Sequence, residues 1–304
     1  MTWTSDDLLT ALRLRCRIPD GASVASDAEL LTVADDQIAT VFTPLIRQVQ
    51  EEYGVRTTDT ALVSGQTDYR IPSRSSAGNL RDVLVVAPGG AAIGLPRVSL
   101  EESGRYAEGG SPYWPTGMAF TVIGDKVRIL SSGQRTTDTL RLRWYLRPSK
   151  LILAAAADAV TTATSSTSIE GSWSAISDGD TVDVIQAVPN FDALTVDDTA
   201  GVAGSTLTLT NGADDVADGD YVCPAGQTPI IQLPAELHSV LVTACSITVY
   251  EMLRDSEAGS IAAKRLGREL DQVRMLLAPR VDGEESHIIN RRGILRGGRR
   301  GGWR

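Results

Sequence analysis

The sequence predicts an α+β fold: a helical bundle from the N- and C-terminal helices, two inserted antiparallel β segments and an extended C-terminal arm. Three observations lead to this class. Apolar residues recur with helical spacing near both termini, the spacing falls to two between them, and turn residues divide the middle of the chain into short runs. With 304 residues, 42% hydrophobic and 22% charged, the chain is long enough for about two domains.

We divide the chain into five parts by these changes of pattern. In chain order they are N-terminal helices of the helical core (1–55), a β domain (56–150), an acidic inserted β domain (151–233), C-terminal helices that complete the helical core (234–280) and a flexible basic arm (281–304). The acidic domain is interpreted as an insertion because helical spacing resumes directly after it. Its expected shape is a small sandwich or barrel.

Two helical segments are predicted before residue 55. Ser5 is predicted to cap the first, Pro19 and Gly21 to close it, and its apolar stripe is Leu8, Leu9, Leu12 and Cys16. The second begins with a capping box formed by Ser26 and Glu29. Pro44 lies inside its apolar stripe, so we expect a kink or a split there.

The 56–150 part is predicted to be β structure because its apolar residues alternate. The predicted strands are Thr60 to Ser64, Tyr69 to Ile71, Leu80 to Ala87, Met118 to Ile123, Lys126 to Leu130 and Thr139 to Leu146. In the last of them, Arg141 and Arg143 are expected to face away from a core that receives the leucines and Trp144. Gly124-Asp125 is typical of a tight hairpin.

The 151–233 part contains a weak internal echo. Residues 177–182 (SDGDTV) resemble residues 217–222 (ADGDYV), and each segment is an acidic glycine turn that leads into a strand. We interpret the pair as two related hairpins.

Two helices are predicted after this segment. The first begins at Pro234, and the second follows a break at Gly259-Ser260. Arg265 and Glu269 are expected to pair across one turn of the second helix.

Charge is distributed very unevenly. Between Lys150 and Arg254 there is no Lys or Arg but there are fourteen acidic residues, whereas the last fourteen residues hold six arginines and no acid. Such asymmetry indicates interaction surfaces. No apolar run approaches the roughly 18 residues of a membrane span, and the N-terminus lacks a secretory signal, so we expect cytoplasmic synthesis and no membrane contact.

Residues with catalytic or ligand chemistry are few. Cys16, Cys223 and Cys245 are interpreted as small hydrophobic residues, and His238 and His287 belong to no nucleophile motif. No phosphate-binding loop, dinucleotide fingerprint or metalloprotease motif is present, so neither an enzyme nor a cofactor is predicted. Eight aspartates are candidate calcium ligands, although ordinary turns use the same residues: Asp178, Asp180, Asp197, Asp198, Asp214, Asp215, Asp218 and Asp220.

The arm carries the clearest chemical signal. Its candidate docking residues are Arg291, Arg292, Ile294, Leu295, Arg296, Arg299, Arg300, Trp303 and Arg304. Arginine offers bidentate donors to carboxylates or phosphates, glycine lets a backbone follow a groove, and the apolar residues supply anchors. Three interpretations remain: a disordered solubilising tail, a nucleic-acid-binding segment, and a segment that docks in an acidic protein groove. The last fits the acidic balance of the chain better.

Several stretches together resemble head-to-tail connector (adaptor) proteins of podovirus-like tailed bacteriophages. In order, they are 62–74 (LVSGQTDYRIPSR), 80–83 (LRDV), 140–145 (LRLRWY) with 147–148 (RP), 179–185 (GDTVDVI) through 191–194 (FDAL), 219–223 (GDYVC), 229–230 (PI) and 232–238 (QLPAELH). The resemblance spans most of the chain and contains no catalytic signature.

The resemblance implies a structural role at the head-tail junction of a virion. Such adaptors form a ring, usually of twelve copies, beneath the portal protein, and continue the DNA channel without sequence-specific binding. Residues 281–304 would dock on the portal, and the β segments would meet tail nozzle or fibre proteins. The two β segments depart from compact members of the family, which are helical. Alternatives are another tail subunit (nozzle, tail-tube or fibre-linking) and an Arg-Gly nucleic-acid-binding module.

Overall fold

The computed structural model describes residues 3–18, 25–107, 118–131, 137–187 and 193–277. It confirms the α+β class, with helices at both ends and strands between them. The helices are α1 (Ser5–Cys16), α2 (Asp27–Gln37), α3 (Thr43–Val49), α4 (Leu100–Ala107), α5 (Ala235–Met252) and α6 (Ser256–Leu277).

The strands lie in two groups along the chain. The first group is β1 (Val55–Ala61), β2 (Asp68–Arg70), β3 (Ser75–Val86), β4 (Ala92–Gly94), β5 (Met118–Ile123), β6 (Lys126–Ser131), β7 (Thr139–Leu146) and β8 (Lys150–Leu151). The second is β9 (Asp158–Ala163), β10 (Ser168–Gly171), β11 (Thr181–Ile185), β12 (Ala193–Ala203), β13 (Thr206–Leu209), β14 (Tyr221–Pro224) and β15 (Gln227–Thr228).

Helix α1 is capped by Thr4, so the prediction of Ser5 as the cap is wrong. Thr4 forms a reciprocal capping box with Asp7, while Ser5 is fully buried. The Ser5 hydroxyl donates instead to the Ile152 carbonyl at 2.6 Å, which ties α1 to the chain between the β segments. Arg17 ends the helix in a left-handed conformation, and the predicted stops at 19 and 21 lie outside the described residues.

The predicted split near Pro44 is confirmed. The Ser26–Glu29 capping box starts α2, and a π-helical turn, Ile38–Phe42, separates α2 from α3. Pro44 is the second residue of α3 and directly follows the π-helical turn, a known cause of helix irregularity.

The helices from the two chain ends share one hydrophobic core. Helices α1 and α2 pack on α5, which packs on α6, and Leu8, Leu30 and Phe42 are completely buried between them. Helix α6 begins at Ser256, so the predicted break at Gly259-Ser260 is wrong. The chain turns earlier, at Arg254, which has a φ of 59°. The Arg265–Glu269 pair is confirmed, with a nitrogen-to-oxygen distance of 2.6 Å.

The first β segment contains two sheets that face a common core. One has the order β1-β7-β3-β4 and the other β2-β6-β5. Strand β7 alternates as predicted: its leucines and Trp144 are buried, while Arg141 and Arg143 pair with Asp59 and Asp82 on the outer face. The hairpin at 124–125 joins β5 and β6. Strands β1 and β3 both begin about five residues before their predicted starts, in runs with few apolar residues.

The second β segment is a closed barrel of order β10-β13-β12-β11-β14-β9. Its two halves, β9–β11 and β12–β14, pair with each other in a pseudo-two-fold manner. Val222 pairs with Asp158, and forty residues apart Val182 pairs with Asp198. The two-fold axis passes the pair Asp183 and Cys223, where β11 meets β14.

The sequence echo has a different structural basis from the predicted one. The turns at 177–180 and 217–220 are not hairpins, because each enters a strand that does not pair with the strand before it. Gly179 donates its N–H to the carbonyl of Ala200, and Gly219 donates to that of Val160, so each turn binds the opposite half. The echo therefore reflects the pseudo-two-fold of the barrel.

Candidate functional site

The predicted docking residues of the arm, Arg291 to Arg304, all lie outside the described residues. The last described residues before the arm belong to α6. Val273 and Leu277, in the last turns of α6, are 3% and 7% exposed and belong to the helical core. The end of α6 is thus packed against the rest of the subunit.

A cleft of about 580 Å³ lies where the helices meet the β segments. Its walls come from α3 and the turn after it, from residues 146–151 and from the start of α5. Arg47 and Arg147 line it together with Glu52 and Glu236, so the cleft has both charges.

Arg47 is the most constrained side chain of this cleft. It donates to the Leu146 carbonyl at 2.7 Å and to the Ser76 hydroxyl at 3.3 Å, and its guanidinium lies 4.9 Å from the centre of the Tyr145 ring. Burial lowers the pKa of Arg47 from its ordinary value. Its Nε is buried with no partner in the described part of the chain. Arg47 therefore fixes α3 to the end of β7.

A buried ion pair joins the first β segment to the barrel. Arg74 Nη1 donates to Asp183 Oδ2 at 3.1 Å, and the Asp183 side chain has no exposed surface. The same carboxylate accepts the N–H groups of Asp197 and Gly226, both at 2.9 Å. Burial raises the pKa of Asp183 although Arg74 opposes the rise. Gly226 has a φ of 82°, which favours glycine, and a Cβ at this position would lie 2.6 Å from Arg74 Nη1 and displace the guanidinium.

A second carboxylate, half-buried, lies at the joint between α2 and β8. Asp35 Oδ1 accepts the Leu151 N–H at 2.8 Å. Burial raises the pKa of Asp35 to about 6. Both joints thus depend on aspartates that the sequence does not distinguish from the many surface aspartates.

The barrel also packs directly on the first β segment. Ile185, Ala193 and Cys223 of the barrel belong to the same hydrophobic cluster as Trp144 and Phe120. The predicted insertion is therefore joined to its neighbour by a shared core as well as by the ion pair.

The remaining reactive groups have structural partners. The His238 ring stacks on Trp3 with centroids 4.5 Å apart, its Nε2 lies 3.0 Å from the Leu233 carbonyl, and burial lowers its pKa. The cysteines are buried, and burial raises the pKa of Cys245 to about 12. His287 lies outside the described residues.

The aspartates of the acidic segment bind backbone groups. Asp180 accepts the Ser177 N–H and Asp220 accepts the Ala217 N–H, each at 2.8 Å. Within the described ranges, no group of three or more His, Cys, Asp or Glu side chains lies close enough to hold a metal ion. None of the described helices is both long enough and apolar enough to span a membrane.

Comparison with known proteins gives no match to any family model and none to any curated protein.

Proposed function

We propose that this protein is a head-to-tail adaptor of a tailed bacteriophage particle. In this role the helices form a bundle, twelve copies of the subunit form a ring beneath the portal, and the arm at 281–304 docks on the portal protein. The observation that carries the proposal is the arm: its last fourteen residues hold six arginines and no acid, and the helix before it has its last turns packed in the core.

The chemistry of the arm suits a joint that forms late in assembly. A glycine-rich segment loses conformational entropy when it docks, so it binds weakly per unit of contact area. It therefore binds only where complementary charges offset this loss. Arginine forks paired with carboxylates in a protein groove then hold the joint. The predicted residues for this contact remain the nine named above, from Arg291 to Arg304.

The cross-braced body supports a structural role. The Arg47 contacts, the Arg74–Asp183 pair and the shared core connect the helices, the first β segment and the barrel in one subunit. The proposed neighbours are the portal above, tail nozzle or fibre proteins below, and genomic DNA that passes through the channel without sequence-specific contacts.

Deletion of residues 288–304 tests the proposal. The truncated subunit should fold, as judged by circular dichroism and thermal unfolding, but fail to join filled heads to tails. A matched variant with all six arm arginines changed to lysine keeps the charge but loses the bidentate geometry, so it should join heads only partly. Normal joining by the truncated subunit contradicts the proposal.

Another tail subunit, such as a nozzle, tail-tube or fibre-linking protein, is the second candidate. The described secondary structure between Val55 and Thr228 is mainly β-strand, which favours it. Cryo-electron microscopy of the particle distinguishes the two by the position of the subunit. An Arg-Gly nucleic-acid module would instead bind DNA with an affinity that falls steeply as salt is added.

A further inference from the structure

We infer that the free edge of β1 pairs with the β4 edge of a second copy of this chain, so that the β1-β7-β3-β4 sheet continues from subunit to subunit. The inference rests on the proposed function for the ring that this pairing would close.

The register of β1 identifies the backbone groups that are available. The bonds from the Leu146 N–H to the Gly54 carbonyl and from the Leu62 N–H to the Asp138 carbonyl mark the hydrogen-bonded pairs. In an antiparallel ladder such pairs recur at every second residue, so the even-numbered residues of β1 bond to β7. The N–H and carbonyl groups of Thr57, Asp59 and Ala61 therefore point to the open edge.

The same reasoning applies to β4, at the other end of the sheet. The bonds from Ala87 to Ala91 and from Leu95 to Val83 show that Ile93 bonds to Val85. The backbone groups of Ala92 and Gly94 therefore point outward, two residues apart, with the same spacing as those of β1. In the described part of the chain, neither edge has a second partner strand.

The side chains at the two edges also match in direction. Thr57, Asp59 and Ala61 lie on the outer face of the sheet, and so do Ala92 and Gly94, because the residues between them point inward. Directly paired residues must point to the same face of a sheet, and these do. Because the sheet has four strands that are successively antiparallel, β1 and β4 run in opposite directions and can pair as an antiparallel ladder. A strand from a second copy can thus join without turning over.

The β1 edge lacks the usual protection against pairing, whereas β4 is protected only by its length of three residues. Natural edge strands are blocked by short length, proline, a bulge or charge. β1 is seven residues long and pairs with β7 without a register shift. Its outward charge, Asp59, is neutralised by Arg141 through bonds of 2.8 and 2.7 Å. At the β4 edge, Gly94 leaves open space and Ile93 remains 45% exposed.

The two edges differ from each other, so the pairing is head-to-tail. A head-to-tail contact can repeat around a closed ring, whereas a contact of β1 with β1 stops at a dimer. The second arrangement is compatible with the same hydrogen-bond pattern, and the experiment must separate them.

Disulfide crosslinking tests the pairing. Paired Cα atoms about 5.5 Å apart lie within disulfide reach, and the three native cysteines are buried. Thr57→Cys is combined in one chain with Gly94→Cys and, in a second protein, with Ala92→Cys, so that two registers of β1 along β4 are tested. Oxidation of assembled protein should give a ladder of trimers and larger species with at least one pair. Dimers from Thr57→Cys alone, or no crosslinks in assembled rings, overturn the inference.

A proline variant supplies the second measurement. Thr57→Pro removes an N–H that points to the open edge, whereas the matched variant Thr57→Val keeps it. The proline variant should remain a folded monomer in sedimentation velocity, and the valine variant should assemble. Assembly of both variants overturns the inference. Crosslinked rings that never join heads would refute the proposed function alone, while rings on particles without crosslinks would refute the strand pairing alone.

Discussion

The two halves of the barrel share their register but differ where the barrel meets the first β segment. Asp158 in β9 accepts the N–H groups of Ser174 and Ala175, at 3.0 and 2.9 Å. Forty residues later, Asp198 in β12 accepts those of Asn211 and Gly212, at 3.0 and 3.1 Å. Each carboxylate binds the chain just after the second strand of its own half.

At the centre of the two-fold this equivalence ends. Asp183 on one side binds Arg74, and its counterpart Cys223 is an apolar residue within the shared core. Both halves therefore contain the aspartates, Asp158 and Asp198, that hold the barrel together. Only one half contains Asp183, which attaches the barrel to the first β segment by an ion pair.

Asp183→Ala should cause the largest loss of unfolding free energy and the largest difference between the two halves. Removal of one partner leaves Arg74 as a buried charge, which costs about 3–5 kcal/mol in the free energy of unfolding. The equivalent change in the other half, Cys223→Ala, truncates a core side chain by one atom and should cost about 1 kcal/mol. Urea unfolding followed by circular dichroism measures both.

A second substitution checks the cause. Arg74→Met in the Asp183→Ala background removes the unpaired cation and should recover part of the lost stability. Equal losses for Asp183→Ala and Cys223→Ala would show that position 183 has no special role at this joint.

Asp198→Ala and Asp158→Ala test the part that the halves share. Each removes a buried acceptor and leaves backbone N–H groups without partners, so each should lower the free energy of unfolding by about 2–3 kcal/mol. Asp214→Ala, at an exposed position in the same segment, should stay within about 0.5 kcal/mol of wild type. If only one of the two substitutions lowers the free energy of unfolding strongly, the two halves share their strand register but do not contribute equally to closing the barrel.

Local patterns predicted much of this architecture. The alternation in β7, the Ser26 capping box and the 124–125 hairpin are confirmed, because each depends on residues a few positions apart. The cap of α1 was assigned to the wrong hydroxyl, although Thr4 and Asp7 have the local spacing of a capping box. The role of Ser5 depends instead on the distant Ile152 carbonyl. The sequence repeat at 177–182 and 217–222 could be recognised, but its structural role could not, because the strands after these turns pair with strands of the other half.

The joints could not be predicted. Arg74 and Asp183 are 109 positions apart, and neither has a local pattern that marks it as buried. Arg47 lies on an ordinary amphipathic helix, and its contact with β7 follows only from the tertiary fold. The arm has the opposite character: its composition is distinctive, and the residues predicted to dock lie outside the described ranges.

Asp178→Ala and Asp218→Ala should give the smallest effects and the sharpest test of the two-fold. Asp178 accepts the Val202 N–H at 3.1 Å, and Asp218 accepts the Ala163 N–H at 3.2 Å, both at exposed positions. One exposed hydrogen bond is lost in each case, so the free energy of unfolding should fall by about 0.5–1 kcal/mol. Because both bonds tie a turn to the other half, the two losses should agree. If the two losses in unfolding free energy differ by more than the error of the unfolding curves, the pseudo-two-fold applies to the strands of the barrel but not to the turns that lead into them.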